Sequence, residues 1–195
     1  MPAPKVATVE NLRVPPHSLE AEQAVLGGLL LSSRAWDAVA DIVGENDFYR
    51  EDHRTIFRAI AELSDGGKPC DAITVTEWFD ARGQVDLIDG GGYVSQLASD
   101  TPSAANVRAY AEIVREKSIL RQLIDVGTEI TGGAFSMEGR SSQELLEEAE
   151  RMVFAIADQG QRSGSSYVTV QDMLKQALDR IQELHEYEGE ITGTP

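Results

Sequence analysis

From Ala104 to Thr131 the chain runs without a proline and with one glycine, Gly127, and this stretch most limits what the chain can fold into. Val107, Tyr110, Val114, Leu120, Leu123, Ile124 and Ile130 keep helical periodicity along it. The run therefore predicts one helix about 42 Å long, at ~1.5 Å per residue. Gly132 and Gly133 read as its end. After a polar turn, Ser141 and Glu144 have the spacing of a capping box, and a second helix is predicted from there to about Asp158. Its apolar residues Leu145, Leu146, Ala149, Met152, Val153, Ile156 and Ala157 form a continuous stripe. Glu147, Glu148 and Glu150 read as solvated charge on the far side. Two long helices joined by a short turn make an antiparallel hairpin, which buries one face of each helix and needs a further layer. Self-association is the simplest source of that layer, and Leu120, Leu123, Ile124, Leu145, Ala149, Met152, Val153 and Ile156 are the residues expected to carry it. Packing on the rest of the chain is the alternative.

Before the hairpin the pattern is one of shorter helices. In the run VPPHSLEAEQAVLGGLLL, Pro15 and Pro16 hold the approach extended and Ser18 is placed to cap a helix starting near Leu19. Glu20 and Glu22 put negative charge on that helix's positive end. Val25, Leu26, Leu29 and Leu30 form its apolar stripe, and Gly27 and Gly28, poor helix formers in mid-helix, mark close packing. Ser33 is read as the cap of a short helix bearing Trp36, Val39, Ala40 and Val43 and ended by Gly44, with Phe48 and Tyr49 anchoring the turn. A third helix runs from Glu51 to about Ser64, with Ile56, Phe57, Ile60, Ala61 and Leu63 at helical spacing. Thr74 and Glu77 read as a capping box for a helix over 75–82, with Trp78 and Phe79 in the core. The segment Asp89-Gly90-Gly91-Gly92 reads as a tight turn into a helix over 93–98, because no strand precedes it and no Lys-Ser or Lys-Thr follows.

After the hairpin, the polar, glycine-rich residues from Gln159 to Ser166 read as a linker. Beyond it Thr169 and Asp172 start one amphipathic helix on which Val170, Leu174, Ala177, Ile181 and Leu184 alternate by four and three residues, ending near Gly189. A lone helix of this length is marginal without packing, so it is expected to dock on another subunit. The expected fold is all-α. Its parts are a tail over 1–13, a helical globule over 14–100, the hairpin over 101–158, a linker over 159–168, the linker helix over 169–189 and a connection over 190–195.

Composition bounds the function. With 42% hydrophobic residues the chain has enough to build a core, and 6% aromatics favour helix packing over a sheet. A net charge of −16 argues against a chain that grips a phosphate backbone by itself. Arg108, Arg115, Lys117 and Arg121 share one helix, but Glu112 and Glu116 interleave with them, and the set reads as solvated ion pairs. The single cysteine, Cys70, excludes an intrachain disulfide and suits a reducing compartment. With no apolar signal core and no run of ~20 apolar residues, a cytoplasmic location is expected.

Catalytic chemistry finds no foothold. The only Gly-Lys pair, Gly67-Lys68, is followed by Pro69, which has neither the hydroxyl for magnesium nor the amide for a phosphate cradle. His17, His53 and His185 are far apart and lack metal-ligand spacing. No serine or threonine is singled out as a nucleophile. The sequence thus presents no catalytic, cofactor-binding or metal site, and a helical hydrolase using its carboxylates has no supporting spacing.

Two long stretches carry a family resemblance: VPPHSLEAEQAVLGGLLL from Val14 to Leu31, and TPSAANVRAYAEIVREKSILRQLI from Thr101 to Ile124. Both closely resemble, in order and separation, the start of bacterial replicative DNA helicases of the DnaB family. The resemblance covers the chain from Val14 onward. It implies a helical globule and a hairpin that pairs to build a trimer-of-dimers collar, recruiting a DnaG-type primase and helping a helicase loader act on the ring. It also implies a linker helix, here Val170 to Glu188, that packs on the neighbouring subunit's RecA-like motor. Ile191-Thr192-Gly193-Thr194-Pro195 resembles the family's approach to that motor, with Thr194 where an aliphatic residue is usual. ATP and magnesium are then expected in a domain beyond this sequence, so DNA unwinding belongs to the parent protein and not to these residues. The competing expectation is a free-standing helical adaptor without a motor, and the two are distinguished by what the gene encodes after Pro195.

Overall fold

Ser18 begins the first helix as its spacing predicts: its side chain accepts the Ala21 amide and α1 runs Leu19–Leu31. A computed structural model describes residues 14–136 and 139–164, with side chains described to 158. The further α-helices are α2 (Ala35–Val39), α3 (Glu51–Asp65), α4 (Ala72–Asp80), α5 (Gly92–Asp100), α6 (Val107–Phe135) and α7 (Ser142–Gly164). Short 3-10 turns at Glu45–Asp47 and Val85–Gly91 join them, and no strand occurs among the described residues. The fold is all-α.

The core gathers one face from each of the first six helices. Val25, Leu26 and Leu29 of α1 meet Val39 of α2, Ile56 and Ile60 of α3, Val75 and Phe79 of α4, Val94 of α5 and Val107 and Ala111 of α6, with Phe48 from the preceding loop. The glycines of α1 do what their position suggests. A Cβ on Gly27 would lie 1.9 Å from Thr101 Oγ1 and 2.4 Å from the Leu97 carbonyl, so only glycine lets α1 close on the end of α5. Asp89, Gly90 and Gly91 all take positive φ, which turns the chain sharply into α5.

Several local expectations need correction. The second helix starts after Arg34 with no side-chain cap from Ser33 and stops at Val39, although Val43 still donates to the Val39 carbonyl at 3.1 Å and is buried with Ile42. Helix α4 is capped by Asp71, whose carboxylate accepts the Ile73 and Thr74 amides; Thr74 is its reciprocal partner at the third helical position and not the cap. Gly132 and Gly133 do not end α6, which continues to Phe135. Likewise α7 passes Asp158 and the residues read as linker up to Gly164. A glycine in a helix costs only about 1 kcal/mol against alanine, which a long established helix absorbs.

The expected division between globule and hairpin at Asp100 is also not where packing changes. Val107, Ala111, Val114 and Ser118 of α6 are buried with the core, so the first half of this helix belongs to the globule. The described helices lie in one compact unit ending at Ser163. The tail over 1–13, the later linker residues, and the linker helix with Val170, Leu174, Ala177, Ile181 and Leu184 lie outside the described residues.

Candidate functional site

Beyond Ser118, α6 leaves the core, and α7 meets its far end beside the turn. The capping box is present: the Ser141 amide donates to Glu144 Oε2 at 2.6 Å and the Glu144 amide to Ser141 Oγ at 3.3 Å. These bonds hold the Glu144 carboxyl below its ordinary range, the Ser141 amide contributing most. Close to the turn, Ile130 and Gly133 of α6 and Leu145, Ala149 and Met152 of α7 line one groove of about 660 Å³. A Cβ on Gly133 would stand 3.5 Å from Leu145 Cδ2.

The residues expected at a subunit interface separate into two sets. Leu145, Ala149 and Met152 are half-buried on the side of α7 facing α6, and Ile156 is buried. Their contacts are therefore largely made within the chain. Leu120, Leu123, Ile124 and Val153 are exposed, with Leu123 at 46% and Ile124 at 52%. Two strongly exposed aromatics of the hairpin, Phe135 at 88% and Phe154 at 73%, escape the periodicity, because Phe135 lies past the expected helix end and Phe154 falls off the apolar stripe. Glu148 is not simply solvated charge: it accepts from Arg140 at 2.7 Å across the hairpin turn.

Where the hairpin leaves the globule, the arginines read as solvated pairs behave differently from one another. Arg108 does pair with Glu112 in the open, four residues along. Arg115, by contrast, is nearly buried and donates to Asp47 Oδ1 at 2.7 Å, while Asp47 Oδ2 accepts the Gly44 amide at 2.8 Å. Arg121 donates to the Pro16 carbonyl at 2.7 Å and the Asp47 carbonyl at 2.5 Å, and burial pushes its guanidinium below the ordinary arginine value. Periodicity could not find these contacts, since their partners stand in loops 68 to 105 residues away in sequence.

A second polar assembly lies inside the globule. Glu22, 1% exposed, accepts from His53 Nδ1 at 2.6 Å and from the Tyr49 amide at 2.7 Å. A carboxylate only accepts, so Nδ1 carries a proton, and in the neutral ring Nε2 accepts from the Tyr93 hydroxyl at 2.6 Å. Gln23 donates to that hydroxyl at 3.3 Å. Glu22 stands in the first turn of α1, as expected, and there also ties α1 to the start of α3 and onward to α5. Nearby, burial pushes the Asp52 carboxyl up, but the Arg50 hydrogen bond, with the further electrostatic and hydrogen-bonding pull of His53 and Arg50, outweighs it and holds it below the usual range.

Among the described residues no group of His, Cys, Asp and Glu is placed to hold a metal ion, and no helix is long and apolar enough to cross a membrane. Cys70 is buried, which pushes its thiol up in pKa. The molecule is thus an all-helical globule whose last core helix extends into a projecting hairpin that carries exposed apolar side chains.

The family described as "DnaB-like helicase N terminal domain" matches residues 14–116. The replicative DNA helicase DnaB of Haemophilus influenzae is 42% identical over 185 residues, which cover 94% of this chain and 40% of that protein. That of Geobacillus stearothermophilus is 43% identical over 183 residues, with 94% and 40% covered. The crystal structure of the N-terminal domain of DnaB helicase from Mycobacterium tuberculosis superposes with a TM-score of 0.70 at 39% identity, covering 73% of this chain and 99% of that one. The chain belongs to the DnaB-like helicase N-terminal domain family. It spans about 40% of the length of the curated relatives it matches.

Proposed function

We propose that this chain is the collar and assembly portion of a replicative DNA helicase. In this reading its hairpins pair, the pairs organise a hexameric ring as a trimer of dimers, and the outer surface docks a DnaG-type primase or a helicase loader. The parent protein unwinds duplex DNA with ATP and magnesium held by a domain outside this sequence, and this portion alone has no ATPase activity. The helix expected from Val170 to Glu188 serves as the tether to the neighbouring subunit's motor.

The observation that carries the proposal is the grouping of exposed Leu120, Leu123, Ile124, Leu146, Val153 and Phe154 on the two hairpin helices; the globule also exposes Val14, Leu31, Ile73 and Leu87, but on four separate segments. Exposed apolar side chains concentrated on one projecting element mark an association surface. The names of the matched relatives, replicative DNA helicases over the same portion, support the setting.

Sedimentation equilibrium tests it with Leu123→Asp and Val153→Asp. Each would bury an unpaired carboxylate in a paired hairpin, so the dissociation constant should rise at least roughly tenfold, equivalent to about 1.4 kcal/mol. A chain that stays monomeric at high micromolar concentration would overturn the pairing.

A further inference from the structure

We propose that Arg121 is a positioning residue that sets the direction in which the hairpin leaves the globule, with Asp47 as its seat; the consequence for pairing rests on the function proposed above. Arg121 stands at the point where α6 changes role. One turn earlier Ser118 is buried, while Leu123 and Ile124, immediately beyond, are exposed. A helix that leaves its core in mid-length is restrained at that point by whatever contacts flank the exit.

The contacts at this exit are specific. The planar guanidinium donates through Nη1 to the Pro16 carbonyl and through Nη2 to the Asp47 carbonyl, joining α6 to the segment before α1 and to the loop before α3. Its Cζ lies 5.8 Å from the centre of the Tyr49 ring, whose other contact is the stacked His17 ring at 4.4 Å. Asp47 is itself fixed by the Gly44 amide and by Arg115, less than two turns before Arg121 on the same helix. Two arginines of α6 thus converge on one residue, one on its carboxylate and one on its carbonyl. Rotation or tilt of α6 would lengthen both sets of bonds together.

None of these partners belongs to the hydrophobic core, so removing the fork should loosen orientation without unfolding the globule. Lysine cannot replace arginine here, because an ammonium group lacks the planar fork that spans two carbonyls.

Pulsed dipolar distance measurement between nitroxides at Ser99→Cys and Ser142→Cys, in a Cys70→Ser background, reads the orientation. The labelled chain is diluted in excess unlabelled chain so that every distance is within one molecule, whether or not the chains pair. The starting chain should give one narrow distribution, Arg121→Ala a clearly broader one, and Arg121→Lys an intermediate width. The dissociation constant of Arg121→Ala should rise roughly tenfold through lost preorganisation. Leu123→Asp should weaken pairing with the distance width unchanged, and this separates the clamp from the interface. Should Arg121→Ala lose the helical circular dichroism of the starting chain, Arg121→Lys carries the comparison. Equal widths in the starting chain and in the folded variants would overturn the inference, and a monomeric chain with a width that still depends on Arg121 would overturn only the pairing.

Discussion

Replacing Glu22 by alanine should be among the most destabilising single substitutions in the globule, and the structure allows its size to be worked out. The carboxylate is 1% exposed and accepts from His53 and from the Tyr49 amide, with a longer contact to the Arg50 amide at 3.5 Å. Truncation leaves the fully buried His53 ring and a backbone donor without their acceptor. Each orphaned buried group costs about 1–3 kcal/mol, so the two together cost about 2–6 kcal/mol. Taking about 4 kcal/mol, a domain of this size should lose about 8–16 °C in Tm. That is a large share of a total stability of about 5–15 kcal/mol. Glu22→Gln keeps the volume and one acceptor oxygen, so it should cost about 1–3 kcal/mol. Urea unfolding followed by circular dichroism, with unchanged slope, measures both. An alanine variant within about 1 kcal/mol of the starting chain, or a glutamine variant as unstable as the alanine one, would refute the account of Glu22 as the acceptor that joins α1 to α3.

Three further outcomes are expected. Gly27→Ala should destabilise by about 1–3 kcal/mol or more in chemical denaturation, since its Cβ meets the Leu97 carbonyl, a backbone atom that cannot move aside. Gly127→Ala, with nothing within 4 Å, should stabilise α6 by about 0.5–1 kcal/mol when measured at monomeric dilution. The hydrogen bonds of the α4 cap, chiefly from the Thr74 amide, hold the Asp71 carboxyl below its ordinary 3.8. A carboxylate with a lowered folded pKa contributes stability that is present above its unfolded value and lost as pH falls through the lowered one. Carboxyl NMR should therefore place the Asp71 midpoint under 3.8, and Asp71→Asn should flatten the acid limb of the stability curve below about pH 4.

Much of the secondary structure was legible because its causes are local. Ser18, Ser141 with Glu144, and the apolar spacing in α1, α3 and α6 act over one to four residues, which is the range a sequence displays. Glycine was the weak point. Gly27 and Gly28 read correctly as packing, but Gly132 and Gly133 read as a helix end, and Gly160 as part of a linker, where the helix runs on. Position in a helix sets only a cost of about 1 kcal/mol for glycine, and surrounding turns decide whether it is met. The candidate surface was half legible. An apolar stripe announces that a face is covered, and the same pattern describes Leu145, which faces α6, and Leu123, which faces outward.

The sequence by itself determined an all-helical chain, the starts of its long helices and, through Val14–Leu31 and Thr101–Ile124, its family. Only tertiary structure decided which charges are buried. Glu22 and His53 are 31 residues apart and His53 and Tyr93 are 40 apart, so no periodicity links them, yet they meet in one hydrogen-bonded chain. Arg115 and Arg121 look like their neighbour Arg108 in every local respect, and differ because folding brings Asp47 and Pro16 to one side of α6. Desolvation depends on what arrives from elsewhere in the chain, and a charged side chain carries no local mark of it.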